Sequence, residues 1–445
     1  MKASKNIARS ILLTVLTLFP AHLFGVIAGV FIARILGPEG KGTFTIFYAD
    51  EHLFRTVFGF TLTNSIIFFV ASKRISVERL KSIVTVLIFG TVVLSAITLF
   101  VWINSKYVHY FIPSYEVTSC LIILFLATIF ISQINTAFTA YFQGLKHFKI
   151  VNKVLLLNGF YGFLLFLAAY LLHENNWYQV QLIDIIALSV LILLISSLHW
   201  FYYYFKTGYV NFSFDFNWKD DFKAFFRFAG LNHLSKIFIF LNHRIILWFI
   251  ALYLDNWHVG IFSLAIGLAQ VLTSFSVVLE SFLSSENRVD QAAIFSIFSR
   301  VQFTLVFTIC LLVTILSPYL VPFIYGVEFT ESIGVLNIVI VGILFAYQSG
   351  NFSSLLVAGD QIKYNVVSSS MGILVTVITA PLLIEKYSII GAAYSQLIAY
   401  LTVFGFQYIT ILIKTEVDRN LFFITRSDFK YVCSQLRKPN TDLPE

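Results

Sequence analysis

The sequence predicts an all-α polytopic membrane protein: twelve transmembrane helices in two parallel-repeat six-helix bundles around a central cavity. Three observations lead there. The 445-residue chain is 58% hydrophobic and only 12% charged, against about 25% charged residues in a soluble domain. Its apolar runs are about 20 residues long and do not alternate, which fits helices and not the ~10-residue alternating strands of a membrane barrel. The third is an internal echo. LGPEGKGTF at 36–44 lines up with LDNWHVGIF at 254–262, a shift of 218.

The expected spans are 11–34, 43–71, 83–103, 117–142, 151–172, 182–205, 228–254, 259–284, 292–317, 332–357, 364–384 and 389–413. Lys2, Lys5 and Arg9 precede the first run as they would in a signal peptide. That run is longer than a signal core of about 7–15 residues, and more spans follow, so it reads as a membrane helix. Twenty-three of the 30 Lys and Arg fall in segments on one side. Four (Arg34, Lys41, Lys106 and Lys386) fall on the other. This asymmetry puts both termini in the cytoplasm of a cell's inner (plasma) membrane.

Residues 1–205 form the expected N-terminal bundle, 206–227 a cytoplasmic linker, 228–413 the C-terminal bundle and 414–445 a cytoplasmic tail. The linker interleaves Asp215, Lys219, Asp220, Asp221 and Lys223 with Phe and Trp, a pattern suited to the membrane surface. The tail mixes basic residues with Phe422, Phe423, Phe429 and Tyr431 over 414–438, which predicts an interfacial helix. A second echo, QGLKHFK at 143–149 against AGDQIKY at 358–364, has a shift of 215. Six spans per unit make the repeat parallel, with substrate expected between the halves near the midplane. Gly25 and Gly29 permit close helix packing on span one.

Charge inside the membrane needs an explanation. A cation at a helix centre costs about 2.5–3.5 kcal/mol on insertion scales. Arg55 lies on span two, and Lys236 and Arg244 lie on span seven. Asn232, Lys236 and His243 fall within about 40° around their helix, with Asn242 and Arg244 at the edge of the stripe. Arg34 closes span one, Gln270 and Glu280 lie on span eight, and spans four and ten carry Gln133, Asn135, Gln348 and Asn351. One reading is a cationic cavity for an anionic substrate, since guanidinium pairs with phosphate in bidentate fashion. In it Arg244, Lys236, Arg55 and Arg34 bind the anion, and His243, Asn232, Asn242 and Gln270 line the cavity. The other reading is internal pairing. Glu51 sits one turn from Arg55, Arg244 would pair with an acid on a neighbouring span, and Arg34 is then an interface anchor. Glu51, Asp50 and Glu280 are either salt-bridge partners or sites for a coupling H⁺ or Na⁺.

No Walker loop, HExxH or nucleophile elbow is present. Cys120, Cys310 and Cys433 show neither pairing nor metal-ligand spacing. No catalytic residue, cofactor, metal or nucleic-acid partner is expected.

ARILGPEGKGTFTIFY at 33–48 resembles the first-loop signature A-R-x-L-G-P-x-x-x-G-x-[FY] of polysaccharide exporters in the multidrug/oligosaccharidyl-lipid/polysaccharide (MOP) superfamily, matching at Arg34, Leu36, Gly37, Pro38, Gly42 and Phe44. The second-half turn followed by SLAIGLAQ also looks like its family counterpart. The family helix before that turn often carries an acid near an Arg, where this chain has Asn242-His243-Arg244. The resemblance implies a non-enzymatic flippase that carries a polyprenyl-pyrophosphate-linked oligosaccharide from the inner to the outer leaflet for surface polysaccharide such as O-antigen. Its partners would be that substrate, membrane lipid, and polysaccharide polymerase and assembly proteins. Rival readings are a multidrug/cation antiporter of the same fold, a membrane-embedded glycan polymerase or ligase, and a non-transporting assembly factor.

Overall fold

A computed structural model of the protein describes residues 3–104, 118–207, 219–270, 288–359, 361–415 and 417–428. Glu280 lies outside the described residues, as does the side chain of Gln270. In chain order the helices are α1 (Ala3–Phe58), α2 (Leu62–Ser72), α3 (Val77–Ile103), α4 (Ser119–Gly144), α5 (Phe148–Glu174), α6 (Leu182–Lys206), α7 (Lys219–Tyr253), α8 (Asn256–Gln270), α9 (Arg288–Tyr325), α10 (Ser332–Ala358) and α11 (Ile362–Lys414). Nine helices among the described residues are long and apolar enough to cross a membrane, and the chain is a multi-pass membrane protein. The first and last of these helices are bent, at Gly37 and Ser388; the last carries two expected spans, and the first carries span one and the start of span two.

The turn expected between spans one and two shrinks to one residue. Gly37 adopts φ 63 and ψ −178, a region open essentially to glycine. Pro38 follows with its φ already set for a helix start. The second arm of α1 therefore begins at once and runs 38–58, instead of starting near 43.

Span two, expected unbroken over 43–71, is also interrupted. Phe60 and Thr61 have φ 44 and 48, and α2 begins only at Leu62. Backbone groups freed inside a membrane need partners, and other helices supply them. Thr91 of α3 donates to the Phe58 carbonyl at 3.2 Å. His233 of α7 lies 3.0 Å from the Val57 carbonyl and 3.2 Å from the Thr61 hydroxyl. A Cβ on Gly59 would collide with Gln133, so the break takes a glycine there.

The two copies of the repeated turn meet. A Cβ on Gly42 would collide with the Asn256 carbonyl, and one on Gly260 with the Pro38 carbonyl. The shift of 218 that aligns the two segments maps Pro38 onto Asn256 and Gly42 onto Gly260. Each copy thus presents the same surface to the other, as a two-fold axis requires. Thr45 donates to Ser263, its own counterpart, at 3.1 Å. Asn256 donates to Thr43 at 3.0 Å. Arg34 closes the same end by donating to the Phe323 and Ile324 carbonyls of α9, both at 2.7 Å. This is the turn end. At the opposite, linker end, the first turns of α7 pack on α2–α4. Phe225 stacks on Phe69 at 5.6 Å and Arg79 pairs with Asp221 at 3.2 Å. Further along, Ile246, Leu247 and Ile250 of the same helix join the core of the second half. Helix α7 therefore touches one bundle near its start and the other near its end.

Of the interfacial helix expected over 414–438, the described part of the tail shows residues 417–425 non-helical and a helical segment that begins at Arg426. Residues 417–428 strap onto the second bundle through polar groups. Arg300 grips Asp428 with two bonds of 2.7 Å and reaches Asp418 at 2.9 Å. Ser299 donates to the Leu421 carbonyl at 3.0 Å, and Tyr408 to that of Arg419 at 2.9 Å. This docking is charge-assisted. Its hydrogen bonds from Arg300 hold the Asp428 carboxyl down to about 2, from an ordinary value of 3.8. A carboxyl lowered on folding stabilises above its unfolded value, and the contribution is lost as pH falls through about 2.

Two outcomes are expected. With native cysteines replaced, a Thr45→Cys/Ser263→Cys pair forms a disulfide on mild oxidation, read as loss of two thiols by mass spectrometry; this follows from the Oγ–Oγ approach. Asp428→Asn loosens the strap, read as faster tryptic cleavage at Arg419 and Arg426 at neutral pH, with α9–α10 unaffected.

Candidate functional site

The second arm of α1 carries Lys41, Tyr48, His52 and Arg55 at i, i+7, i+11 and i+14, within about 60° of one another. Of these, His52 meets α7, while Tyr48 packs on Phe44 and Phe47 of its own helix. The His52 ring packs on Phe240 with centroids 4.6 Å apart. Arg244 follows Phe240 by one turn and lies within electrostatic reach of both His52 and Lys41. The polar groups of the two halves thus converge where α1 crosses α7.

Most of these groups have partners. Arg55 donates through Nε to Glu51 Oε1 at 3.0 Å, and the carboxylate is buried. Trp248 donates its indole N–H to the buried Asp50 carboxylate at 2.7 Å. His243 lies 2.9 Å from the Tyr400 hydroxyl of α11. Gln396 donates to the Asn242 carbonyl at 3.1 Å, which points Asn242 into the second bundle beside Gly372. Lys236 is exposed and donates to Asn64 of α2 at 3.3 Å. Asn232 is half-buried one turn before it.

Arg244 differs. It is half-buried, and among the described residues its guanidinium has no carboxylate within ion-pair distance and no hydrogen-bond acceptor. The Tyr400 hydroxyl, His52 and Lys41 lie within its electrostatic reach, and the buried Asp50 carboxylate meets Trp248, one turn further along the same helix. An arginine so placed can take an anionic partner.

Of the four cations expected on the anion, the structure places Arg55 and Arg244 around His52, and Lys236 nearer the linker end. Arg34 stands apart. Its guanidinium is used at the turn end on the Phe323 and Ile324 carbonyls and on the Tyr170 hydroxyl, at 3.3 Å, so its geometry is that of a clasp between halves. Lys41 is the reverse case. Counted with the outside segment in the sequence, it belongs to the stripe once the second arm starts at Pro38; its spacing to Tyr48, His52 and Arg55 was the available signal. An apolar cleft of about 300 Å³, lined by Leu53, Phe54, Val57, Phe58, Thr98 and Trp102, lies on another face of the same arm and holds none of these groups. No cluster of three or more His, Cys, Asp or Glu suited to a metal occurs among the described residues.

The family model described as "Polysaccharide biosynthesis protein" matches residues 7–282. The chain belongs to that family. Curated protein sequences include no match. Among solved structures, this polysaccharide biosynthesis protein is similar to the lipid II flippase MurJ in an inward closed conformation, at 17% identity and TM-score 0.66, covering 96% of this chain and 91% of MurJ. It is also similar to a MOP-superfamily transporter from Pyrococcus furiosus, at 13% identity and TM-score 0.64, covering 93% and 97%. A multidrug resistance MATE transporter in an inward-facing conformation matches at 12% identity and TM-score 0.63, covering 88% and 95%. At these identities the likeness establishes the MOP fold.

The Glu51–Arg55 pair generates a prediction. Glu51→Gln removes the charge that neutralises Arg55 and strengthens binding of inorganic pyrophosphate by about tenfold, as loss of a nearby like charge does. The double variant Glu51→Gln/Arg55→Gln returns to the starting affinity. Isothermal titration on the detergent-purified protein reads both.

Proposed function

We propose that the protein is a flippase that moves a polyprenyl-pyrophosphate-linked oligosaccharide from the inner to the outer leaflet of the inner membrane, for surface polysaccharide such as O-antigen. The family and the MOP fold support this reading. The observation that carries it is Arg244, a half-buried guanidinium between the two halves with no protein counter-ion among the described residues. Guanidinium offers a phosphate two parallel donors, and the surrounding apolar wall strengthens the attraction.

In this reading Arg244 anchors the pyrophosphate, the sugars occupy the polar space between the halves, and the polyprenyl tail stays in lipid through a lateral gap. Both termini face the cytoplasm, so the turn end faces outward. Outward opening then parts Gly42 from Gly260 and frees Arg34 from α9. Inward opening parts α7 from α2 and breaks Arg79–Asp221. Asp50 and Glu51 are the groups that would bind a coupling H⁺ or Na⁺. Polysaccharide polymerase and assembly proteins would receive the product. A cation antiporter on this fold would want acids to dominate the cavity, whereas here Arg55, Lys236 and Arg244 outnumber Asp50 and Glu51. A polymerase or ligase would change the glycan's length; a flippase changes only its sidedness.

The test is flipping of a fluorescent lipid-linked oligosaccharide in liposomes. Arg244→Ala is expected to lower the rate about ten- to a hundredfold, the effect of losing charge-assisted hydrogen bonds of about 1.5–3 kcal/mol, while Arg244→Lys keeps part of it. Normal flipping by Arg244→Ala at normal protein level would overturn the assignment.

A further inference from the structure

Tyr202, Tyr203 and Tyr204 lie together near the end of α6, and a lysine from a different helix stands over each ring. The Lys206 ammonium, on α6 itself, is 5.6 Å from the centre of Tyr202 and 3.4 Å from its hydroxyl. That of Lys153 on α5 is 6.0 Å from Tyr203, and that of Lys81 on α3 is 5.4 Å from Tyr204. Tyr204 is buried, whereas Tyr202, Lys153 and Lys206 are exposed. The Tyr202 and Tyr203 rings adjoin, 5.2 Å apart, so Lys153 and Lys206 stand over neighbouring rings. Lys149, one turn before Lys153 on α5, is exposed as well. Among the described residues no carboxylate lies within ion-pair distance of these three lysines. Residues 148–161 of α5 and 193–206 of α6 contain no Asp or Glu.

Beneath this cationic end runs an apolar stripe. Leu191, Leu194, Leu198, Tyr202 and Phe205 of α6 recur every three or four residues, so they share one face of the helix. All five are exposed, Leu198 by 69% and Tyr202 by 56%. Because α6 is long and apolar enough to cross the membrane, that face meets lipid. From Leu191 to Tyr202 it rises about 17 Å, roughly the depth of one leaflet of a ~30 Å hydrocarbon core. Leucines below, a phenol above them and ammonium groups at the top follow the order of a phospholipid's acyl chain, ester region and phosphate. The ring faces hold the ammonium groups by cation–π attraction, and each ammonium keeps N–H donors for a phosphate. A lysine count at one end of the spans is enough to orient a chain; it does not require two of them over adjoining rings at the head of a lipid-facing stripe.

We propose that the linker end of α5 and α6 is a binding site for an anionic phospholipid of the surrounding membrane, with its phosphate between Lys153 and Lys206 and an acyl chain along the α6 stripe. Basic pockets between membrane helices at the cytoplasmic side take anionic headgroups in this way, and the linker end is the cytoplasmic end in the orientation proposed above. A zwitterionic lipid brings its own cation to the lysines and is disfavoured. The site shares no residue with the surroundings of Arg244 and stands or falls independently of the transported substrate.

The test is native mass spectrometry of the full-length detergent-purified protein titrated with phosphatidylglycerol or phosphatidylcholine. The first phosphatidylglycerol is expected to bind about tenfold tighter than the first phosphatidylcholine. Lys153→Gln/Lys206→Gln is expected to weaken phosphatidylglycerol about tenfold and to leave phosphatidylcholine unchanged, while Lys153→Arg/Lys206→Arg keeps the preference. Should the double variant fail to fold, the single Lys206→Gln carries the expectation of about a threefold loss. Lys363→Gln removes a lysine that stands 5.2 Å from the ring of its own neighbour Tyr364, and is expected to change nothing. Equal affinity for the two lipids, or phosphatidylglycerol binding untouched by the Lys153 and Lys206 variants, overturns the site. An equal loss in Lys363→Gln also overturns it, since the preference would then follow overall charge. Displacement of the bound lipid by millimolar inorganic phosphate would make this a site for soluble anions and overturn the lipid assignment.

Discussion

The contact between Gly42 and Gly260 is the constraint on which the rest of the structure depends. Two copies of one turn touch so closely that neither tolerates a Cβ. A self-complementary contact of this kind fixes the axis that relates the halves, and with it the crossing of α1 over α7 and α8. Thr45 and Ser263 extend the symmetry, and Arg34 adds an asymmetric clasp. Everything that gathers between the halves is placed by this joint.

Around that joint the electrostatics divide into two kinds. Arg55 with Glu51, and Arg300 with Asp428 and Asp418, are charges satisfied inside the protein. The first steadies the broken span; the second fastens the strap. Removing Arg55 or Arg300 leaves the buried Glu51 or Asp428 carboxylate uncompensated, which is more damaging than the pair is stabilising. Arg244 is of another kind: among the described residues no carboxylate lies within ion-pair distance of it.

The broken span shows how membrane helices tolerate irregularity. Phe60 and Thr61 take left-handed backbone angles without being turn formers. Their cost is offset by Thr91 and His233, which reach the freed carbonyls from other helices. His233 also stacks on Phe60 at 4.9 Å. The break is therefore another place where the two halves touch, and it lies one turn beyond Arg55.

The sequence by itself determined the fold class, the repeat and the Glu51–Arg55 pair. Those depend on hydropathy, on a recurring local segment and on spacing along one helix, all of which are local properties of the chain. Arg244 was legible for the same reason, as a cation with no acid at helical spacing. Only the tertiary structure decided that Arg34 clasps α9, that Lys41 joins the interior stripe, that span two is broken and that 417–428 straps the second bundle. Each of these turns on a partner more than a hundred residues away or on a bend of one glycine. The energy that selects them comes from carbonyls, carboxylates and rings that meet only once the helices have packed.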